Sequence, residues 1–175
     1  MTRALIAAAL LAALARPATA DLPPGRMAVM GGLRSFQGDA GDDYTTNFVY
    51  GPEGGYQPGR FGVHGTLLLG YFDTASEKAI TSRTLIVQMS FALRGTVSFG
   101  PETPLYASAQ AGLDIFRSGE PMPVEDGERS YIGPGVGAGL EIEIPPVVLS
   151  LWARYSVMVT DVQGLNFLFS IGTGG

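Results

Sequence analysis

Hydrophobic and polar residues alternate with a period of two along most of the chain beyond residue 25. In the longest alternating segment, Leu85–Phe99, Val87 and Met89 lie on one side and Gln88 and Ser90 on the other. Such alternation is typical of a β-strand whose two faces meet different surroundings. The pattern predicts eight strands, the first less regular than most and the second short and weak. They are Arg26–Phe36, Thr46–Tyr50, Phe61–Tyr71, Leu85–Phe99, Leu105–Ile115, Ile132–Ile144, Leu149–Val159 and Leu165–Ile171.

The connections between these strands fall into two classes. Pro101–Pro104 and Pro145–Pro146 are short and proline-marked, and both follow even-numbered strands. Asp73–Ser82 and Ser118–Ser130 are longer, polar and acidic, and both follow odd-numbered strands. Short turns at one end and longer loops at the other are typical of bacterial outer-membrane barrels. On this scheme Gly51–Pro58 is a rather long turn at the short-turn end.

The composition changes the picture by what it excludes. The 175 residues suit a single domain, and the absence of cysteine excludes disulfides, iron–sulfur clusters and thiol nucleophiles. With His64 as the sole histidine, no multi-histidine metal site can form within one chain, and we expect no metal and no cofactor. The net charge of −5 and the single lysine argue against nucleic-acid binding.

The first twenty residues have the pattern of a secretory signal peptide. Arg3 precedes the apolar run Ala4–Ala15, and Ala18-Thr19-Ala20 forms an A-x-A cleavage site. Twelve apolar residues are too few for a transmembrane helix, which needs about twenty. We therefore predict a signal peptide over residues 1–20 and one barrel domain over residues 21–175.

The polar face of the strands decides which side meets lipid. A soluble barrel would carry many lysines and glutamates on its water-facing side, but here that face is mostly Gly, Ser, Thr, Ala and Gln. We therefore expect an all-β, eight-stranded, antiparallel up-and-down transmembrane barrel with apolar residues outside. The alternative is a soluble periplasmic or secreted lipocalin-like barrel that binds a small apolar ligand. Cell fractionation would separate the two.

Six charged residues alternate with the apolar set and are therefore expected to face the lumen. Because buried charges are tolerated only when they are paired, we predict a structural charge network among them. Arg94 and Arg154 should each lie within salt-bridging reach of a carboxylate. The predicted members are Arg34, Arg94, Arg154, Asp114, Glu141 and Glu143.

The eight alternating strands and the proline-marked short turns, behind a signal peptide, resemble the small OmpA/OmpX/opacity-type outer-membrane β-barrels over roughly Arg26–Thr173. The resemblance rests on the signal peptide, the eight alternating strands, the segment Leu151–Ser156 and the final strand Leu165–Gly172. Such barrels usually end on an aromatic residue, whereas this chain ends Gly172-Thr173-Gly174-Gly175. The resemblance implies the bacterial outer membrane as the location, lipids and lipopolysaccharide as surroundings, the outer-membrane assembly machinery as a partner and a monomeric state. It also implies a non-enzymatic structural or surface role through acidic outer loops, such as 39–43 and 125–128.

A less favoured hypothesis is a lipid-modifying barrel enzyme. Eight-stranded lipid A deacylases use a His-x-Ser pair, and this chain offers His64 early and Ser156 late as a polar lumen site. Arg154 occupies the position that a histidine would need two residues before Ser156, and an arginine cannot act as a base. We therefore expect His64 to make lumen hydrogen bonds and expect no catalytic residues.

Overall fold

The computed structural model describes residues 25–37, 46–73, 83–100, 103–119, 129–158 and 162–174. These ranges form eight antiparallel strands, and pairing of the first with the last closes them into a barrel. The predicted eight-stranded all-β barrel is therefore confirmed. The strands are β1 (Gly25–Gln37), β2 (Asn47–Tyr56), β3 (Phe61–Asp73), β4 (Arg83–Ser98), β5 (Leu105–Ser118), β6 (Ser130–Ile144), β7 (Val147–Val157) and β8 (Gln163–Gly174). No helix in these ranges is long and apolar enough to cross a membrane.

The connections give the barrel two different ends. At the short-turn end, strands are joined by residues 57–60, 99–104 and 145–146. At the long-loop end they are joined by residues 38–46, 74–82, 119–129 and 158–162. The predicted signal peptide, the acidic segments 39–43 and 125–128, and Val159 lie outside the described residues.

Strand β2 corrects two expectations. The predicted short strand Thr46–Tyr50 in fact continues to Tyr56, so the long turn expected at Gly51–Pro58 is only four residues, 57–60. Pro52 and its glycine neighbours hid this continuation, since proline cannot donate to a β-ladder. Pro52 pairs with Val29 of β1, whereas the β2–β3 ladder is interrupted at positions 51 and 52.

The two faces of the sheet differ in chemistry as the alternation predicted. Large apolar side chains on the outer face are open to the surroundings, with Leu93 69% exposed and Leu151 61% exposed. The inner face holds charged and amide side chains that are almost fully buried. The barrel is therefore apolar outside and largely polar inside, the reverse of a soluble barrel. This is the arrangement expected of a barrel in lipid.

The inner face is not polar along its whole length, and here the expectation of a small, polar inner surface was wrong. The inward side chains near the long-loop end form a cluster that we call the apolar layer. Its members are Phe36, Phe72, Ile86, Phe116, Tyr131, Met158 and Val162. The rings of Phe36 and Phe72 meet edge to face with centroids 5.0 Å apart. The charged side chains lie between this layer and the short-turn end.

Candidate functional site

Arg154 of β7 and Asp114 of β5 form an ion pair inside the barrel, although β6 lies between their strands. Gly137 of β6 lies opposite Arg154, and Gly135 lies opposite Ser156. Because neither glycine has a side chain, Arg154 and Ser156 can extend across β6 to the carboxylate, and a Cβ on Gly135 would overlap it. Ser156 donates to Asp114 Oδ2. The glycine run of β6 therefore makes room for side chains of its neighbours.

Arg94 of β4 is the centre of a second group of contacts. Its Nη2 lies 2.7 Å from Glu53 Oε1, and its Nη1 lies 3.7 Å from Glu141 Oε1. Nη2 also donates to Gln110 Oε1 at 3.0 Å, and the guanidinium carbon lies 4.2 Å from the centre of the Trp152 ring. The Arg94 charge is thus surrounded by two carboxylates, an amide and an aromatic face.

Glu141 and Glu143 lie on the same face of β6 but have different surroundings. Glu141 is fully buried, binds Arg26 and accepts a hydrogen bond from Ser108 at 2.9 Å. Glu143 is half-buried near the short-turn end and accepts a hydrogen bond from the Tyr106 hydroxyl at 3.3 Å. The structure therefore places Glu143 beside a tyrosine and not against Arg94 or Arg154.

Arg34 is the predicted member whose position differs most from expectation. Its guanidinium donates from Nη1 to Gln88 Oε1 at 2.8 Å and lies 3.8 Å above the Phe116 ring. The ion pairs found among the described residues do not include Arg34. It thus lies against the apolar layer rather than against a carboxylate.

His64 and Ser156 belong to separate clusters. His64 Nδ1 lies 3.2 Å from Glu53 Oε1, and Nε2 lies 3.1 Å from Gln57 Oε1. Gln57 donates to Thr96, whose hydroxyl lies 3.1 Å from that of Ser108. Ser156 instead contacts Asp114, as described above. The structure thus does not bring His64 and Ser156 together as a base and a nucleophile.

The sequence analysis did not predict two of the charged residues in the lumen. Arg26 and Glu53 are both buried, and each takes part in an ion pair with a residue that was predicted. Arg26 lies at the beginning of the least regular strand, and Glu53 lies in the part of β2 where the sequence predicts a turn. Extending the alternation of β2 past Pro52 would have found Glu53, because it has the same parity as Val49.

The buried charges of the described residues are therefore four arginines and three carboxylates, with His64 in addition. This replaces the predicted balance of three against three. In the same ranges, no three His, Asp or Glu side chains are grouped so that they could hold a metal ion.

Comparison with known proteins identifies the family. Residues 6–172 match the family described as the outer membrane protein beta-barrel domain. The chain belongs to this family. Its location is the bacterial outer membrane, and the apolar outer face of the barrel is its lipid-facing surface. No curated protein gave a significant match to the chain.

Solved structures with the same fold are small outer-membrane barrels. Neisserial surface protein A (NspA) has a TM-score of 0.65 at 14% identity, covering 87% of this chain and 97% of its own. OprG from Pseudomonas aeruginosa has a TM-score of 0.58 at 9% identity, covering 88% and 98%. Ail, the attachment invasion locus protein of Yersinia pestis, has a TM-score of 0.54 at 17% identity, covering 87% and 98%. At these identities the likeness establishes the fold alone.

Proposed function

We propose that this family member is a non-enzymatic, non-conducting, monomeric barrel that serves as a structural and surface-interaction protein of the outer membrane. The observation that carries the proposal is a set of buried ion pairs that cross the lumen between strands that are not neighbours. Arg154–Asp114 joins β7 to β5, Arg94–Glu53 joins β4 to β2, and Arg26–Glu141 joins β1 to β6.

Two features of the lumen argue against ion conduction. The cross-barrel ion pairs extend from Arg26–Glu141, near the short-turn end, up to Arg154–Asp114, and the apolar layer lies beyond that pair toward the long-loop end. An ion on this path would first have to separate buried pairs and then pass side chains that cannot replace its hydration shell. Both steps are costly in a narrow eight-stranded barrel.

The sequence of the connecting segments supports an outward-directed role. In bacterial barrels the short turns are periplasmic and the longer loops face outward. The four connections of the long-loop end contain nine acidic residues, and Lys78 and Arg129 are their basic residues. We propose that these loops bind cationic surfaces, either directly or on partner proteins.

The names of the structural neighbours are consistent with a surface role. One neighbour has a known ligand, with which the ligand expected here can be compared. NspA is named as a surface protein and Ail as an attachment invasion locus protein. Ail also has a structure in complex with sucrose octasulfate, a heparin analogue and a polyanion. The acidic loops of the present chain would repel such a ligand, so we expect no binding to heparin.

The absence of conduction can be tested in planar lipid bilayers. We expect bilayers that contain the refolded mature chain to show no large, stable single-channel steps in 1 M KCl. At this ionic strength surface charges are screened within about 3 Å. The matched variant is Arg94→Ala, which removes the central cation of the lumen network but leaves the apolar layer, so it should also add no such steps. Large stable steps with the unaltered chain would contradict the proposal.

The surface role has its own test, which uses proteoliposomes of neutral lipid on polylysine-coated and heparin-coated supports. We expect retention on polylysine and its loss when six loop carboxylates are neutralised. These are Asp39, Asp42, Asp43, Glu125, Asp126 and Glu128. The control is Glu102→Gln at the short-turn end, which should leave retention unchanged. Equal retention of the neutralised variant, or retention on heparin, would refute the acidic-loop proposal.

A further inference from the structure

Arg34 is a buried cation whose hydrogen-bonding capacity is mostly unused. Its side chain is 1% exposed, and Nη1 donates to Gln88. Nε and Nη2 are buried and have no hydrogen-bond partner among the described residues. Burying a guanidinium without a counter-charge and without partners for its N–H groups is strongly unfavourable. An additional group that accepts these hydrogen bonds would therefore stabilise the barrel.

Two residues beside Arg34 in the sheet also have buried polar atoms without a hydrogen-bond partner. Arg34 of β1 lies opposite Asn166 of β8, and Asn166 lies opposite Arg154 of β7. Opposite residues of adjacent strands have Cβ atoms about 4.5–5.5 Å apart, so the three side chains form one inward row. Both polar atoms of Asn166 and the Nε of Arg154 are also buried without a partner among the described residues.

Gly164 of β8 leaves space for the head of Arg34. Its Nη2 lies 2.7 Å from the position that a Cβ would occupy on Gly164, two residues before Asn166 in β8. The head of Arg34 thus occupies space that a side chain on Gly164 would fill, while its Nη1 reaches Gln88 of β4. The register and this contact therefore place Arg34, Asn166 and Arg154 side by side on the lumen wall, with Nη2 of Arg34 close to β8.

The pairing of the buried charges also favours a negative group here. Each of the three buried carboxylates has an arginine partner: Glu141 binds Arg26, Glu53 binds Arg94 and Asp114 binds Arg154. Of the four buried arginines, Arg34 is the one that forms no ion pair with a described carboxylate; the charge of Asp114 attracts it, but Asp114 is bonded to Arg154. The free groups of Arg34 are N–H donors, and the acceptor oxygen of Asn166 is the sole unpartnered acceptor in the row.

We propose that the lumen binds one small inorganic anion, of the size of chloride, between Arg34, Asn166 and Arg154. The anion would accept hydrogen bonds from Nε and Nη2 of Arg34, from Nδ2 of Asn166 and from Nε of Arg154. A single negative charge would equalise the four arginines and the three carboxylates. Because these side chains are at most 2% exposed, the site would take a compact ion and would not admit a lipid headgroup.

The proposal can be tested with the full mature chain, refolded in detergent. Its Tm is measured in sodium chloride and in sodium gluconate at equal ionic strength, since gluconate is too large for the site. A ligand that binds the folded state raises stability with the logarithm of its concentration, so we expect Tm to shift upward by several degrees in chloride. Crystals grown in bromide should show an anomalous peak within hydrogen-bonding distance of Arg34 Nη2.

Two variants locate the site, and a third serves as the control. Asn166→Asp supplies a carboxylate of nearly the same shape beside Arg34, so it should raise Tm in gluconate and remove the response to chloride. Arg34→Met should also lose the response. Arg117→Met changes an exposed arginine of β5 and should keep the response of the unaltered chain.

The outcomes that would overturn the proposal are distinct. Equal Tm values in chloride and gluconate, together with no bromide peak, would mean that water alone occupies the row. A chloride response that persists in Asn166→Asp would place the anion elsewhere on the protein. The conductance and retention assays of the proposed function do not depend on either result.

Discussion

Replacing Arg154 by methionine tests whether the cross-barrel ion pairs stabilise the fold. Methionine has a similar length but no charge, so the substitution removes the cation that is bonded to Asp114. The Asp114 side chain is fully buried and would keep one donor, Ser156. The perturbation is therefore electrostatic rather than a loss of volume.

The expected magnitude follows from the burial of the pair. Removing one partner of a buried ion pair destabilises a protein by about 3–5 kcal/mol, because the other charge is left uncompensated. Since Ser156 still donates to Asp114, we expect the lower end, about 3 kcal/mol. This corresponds to roughly a hundredfold change in the unfolding equilibrium constant.

The chain contains its own probe for this measurement. Trp152 is the single tryptophan, lies two residues before Arg154 on the same inward face and is buried. Urea unfolding in lipid vesicles can therefore be followed by tryptophan fluorescence, with heat-modifiable gel mobility as a second measure. The control Arg117→Met changes an exposed arginine and should cost no more than about 0.5 kcal/mol.

A double variant separates the ion pair from other effects. In Arg154→Met/Asp114→Asn both charges are absent, so the cost should be smaller than the sum of the two single costs by at least about 1 kcal/mol. Two results would refute the reasoning. One is a cost for Arg154→Met equal to that of Arg117→Met, and the other is strict additivity of the two single substitutions.

Two further pairs of substitutions test the lipid-facing side and the close packing of the sheet. Phe91→Arg places a cation on the outer face in the middle of β4 and should cost about 2–4 kcal/mol, whereas Phe99→Arg, just beyond the end of β4, should cost about 0–1 kcal/mol. Equal folding yields of these two variants in vesicles would contradict the assigned lipid-facing side. Gly112→Ala should destabilise by about 1–3 kcal/mol, because its Cβ would overlap the backbone carbonyl of Phe91. Gly65→Ala, whose Cβ would meet ordinary contacts at 3.9 and 4.0 Å, is the control, and equal Tm values for the two alanine variants would count against the close approach of β4 and β5 at Gly112.

Much of the barrel could be predicted because the signal is local. Alternation with a period of two identifies a strand and assigns its faces without knowledge of any partner. The Pro145–Pro146 turn also set a register, since pairing outward from it puts Arg154 opposite Gly137, as the structure has it. Alternation gave a wrong boundary at β2, where Pro52 and the surrounding glycines resemble a turn although the strand continues.

The contacts of the lumen could not be read from the same pattern. Alternation indicated that Arg34, Arg94 and Arg154 point inward, but it carries no information on which inward residues meet across the barrel. Arg154 reaches Asp114 over a strand of glycines, whereas Arg34 turns toward Gln88 and Phe116. Glu53 and Arg26 were not predicted from the sequence, although each forms an ion pair with a predicted residue: Glu53 with Arg94, and Arg26 with Glu141.

Apart from the end of β2, the sequence by itself determined the strands, the side of each strand that faces lipid and the unequal ends of the barrel, because each depends on residues that are neighbours in the chain. Tertiary structure alone decided the ion pairs, the apolar layer and the row formed by Arg34, Asn166 and Arg154. These depend on closure of β1 against β8 and on the register of all eight pairings. Closure brings together residues more than a hundred positions apart, such as Arg26 and Glu141, and no local pattern encodes that distance.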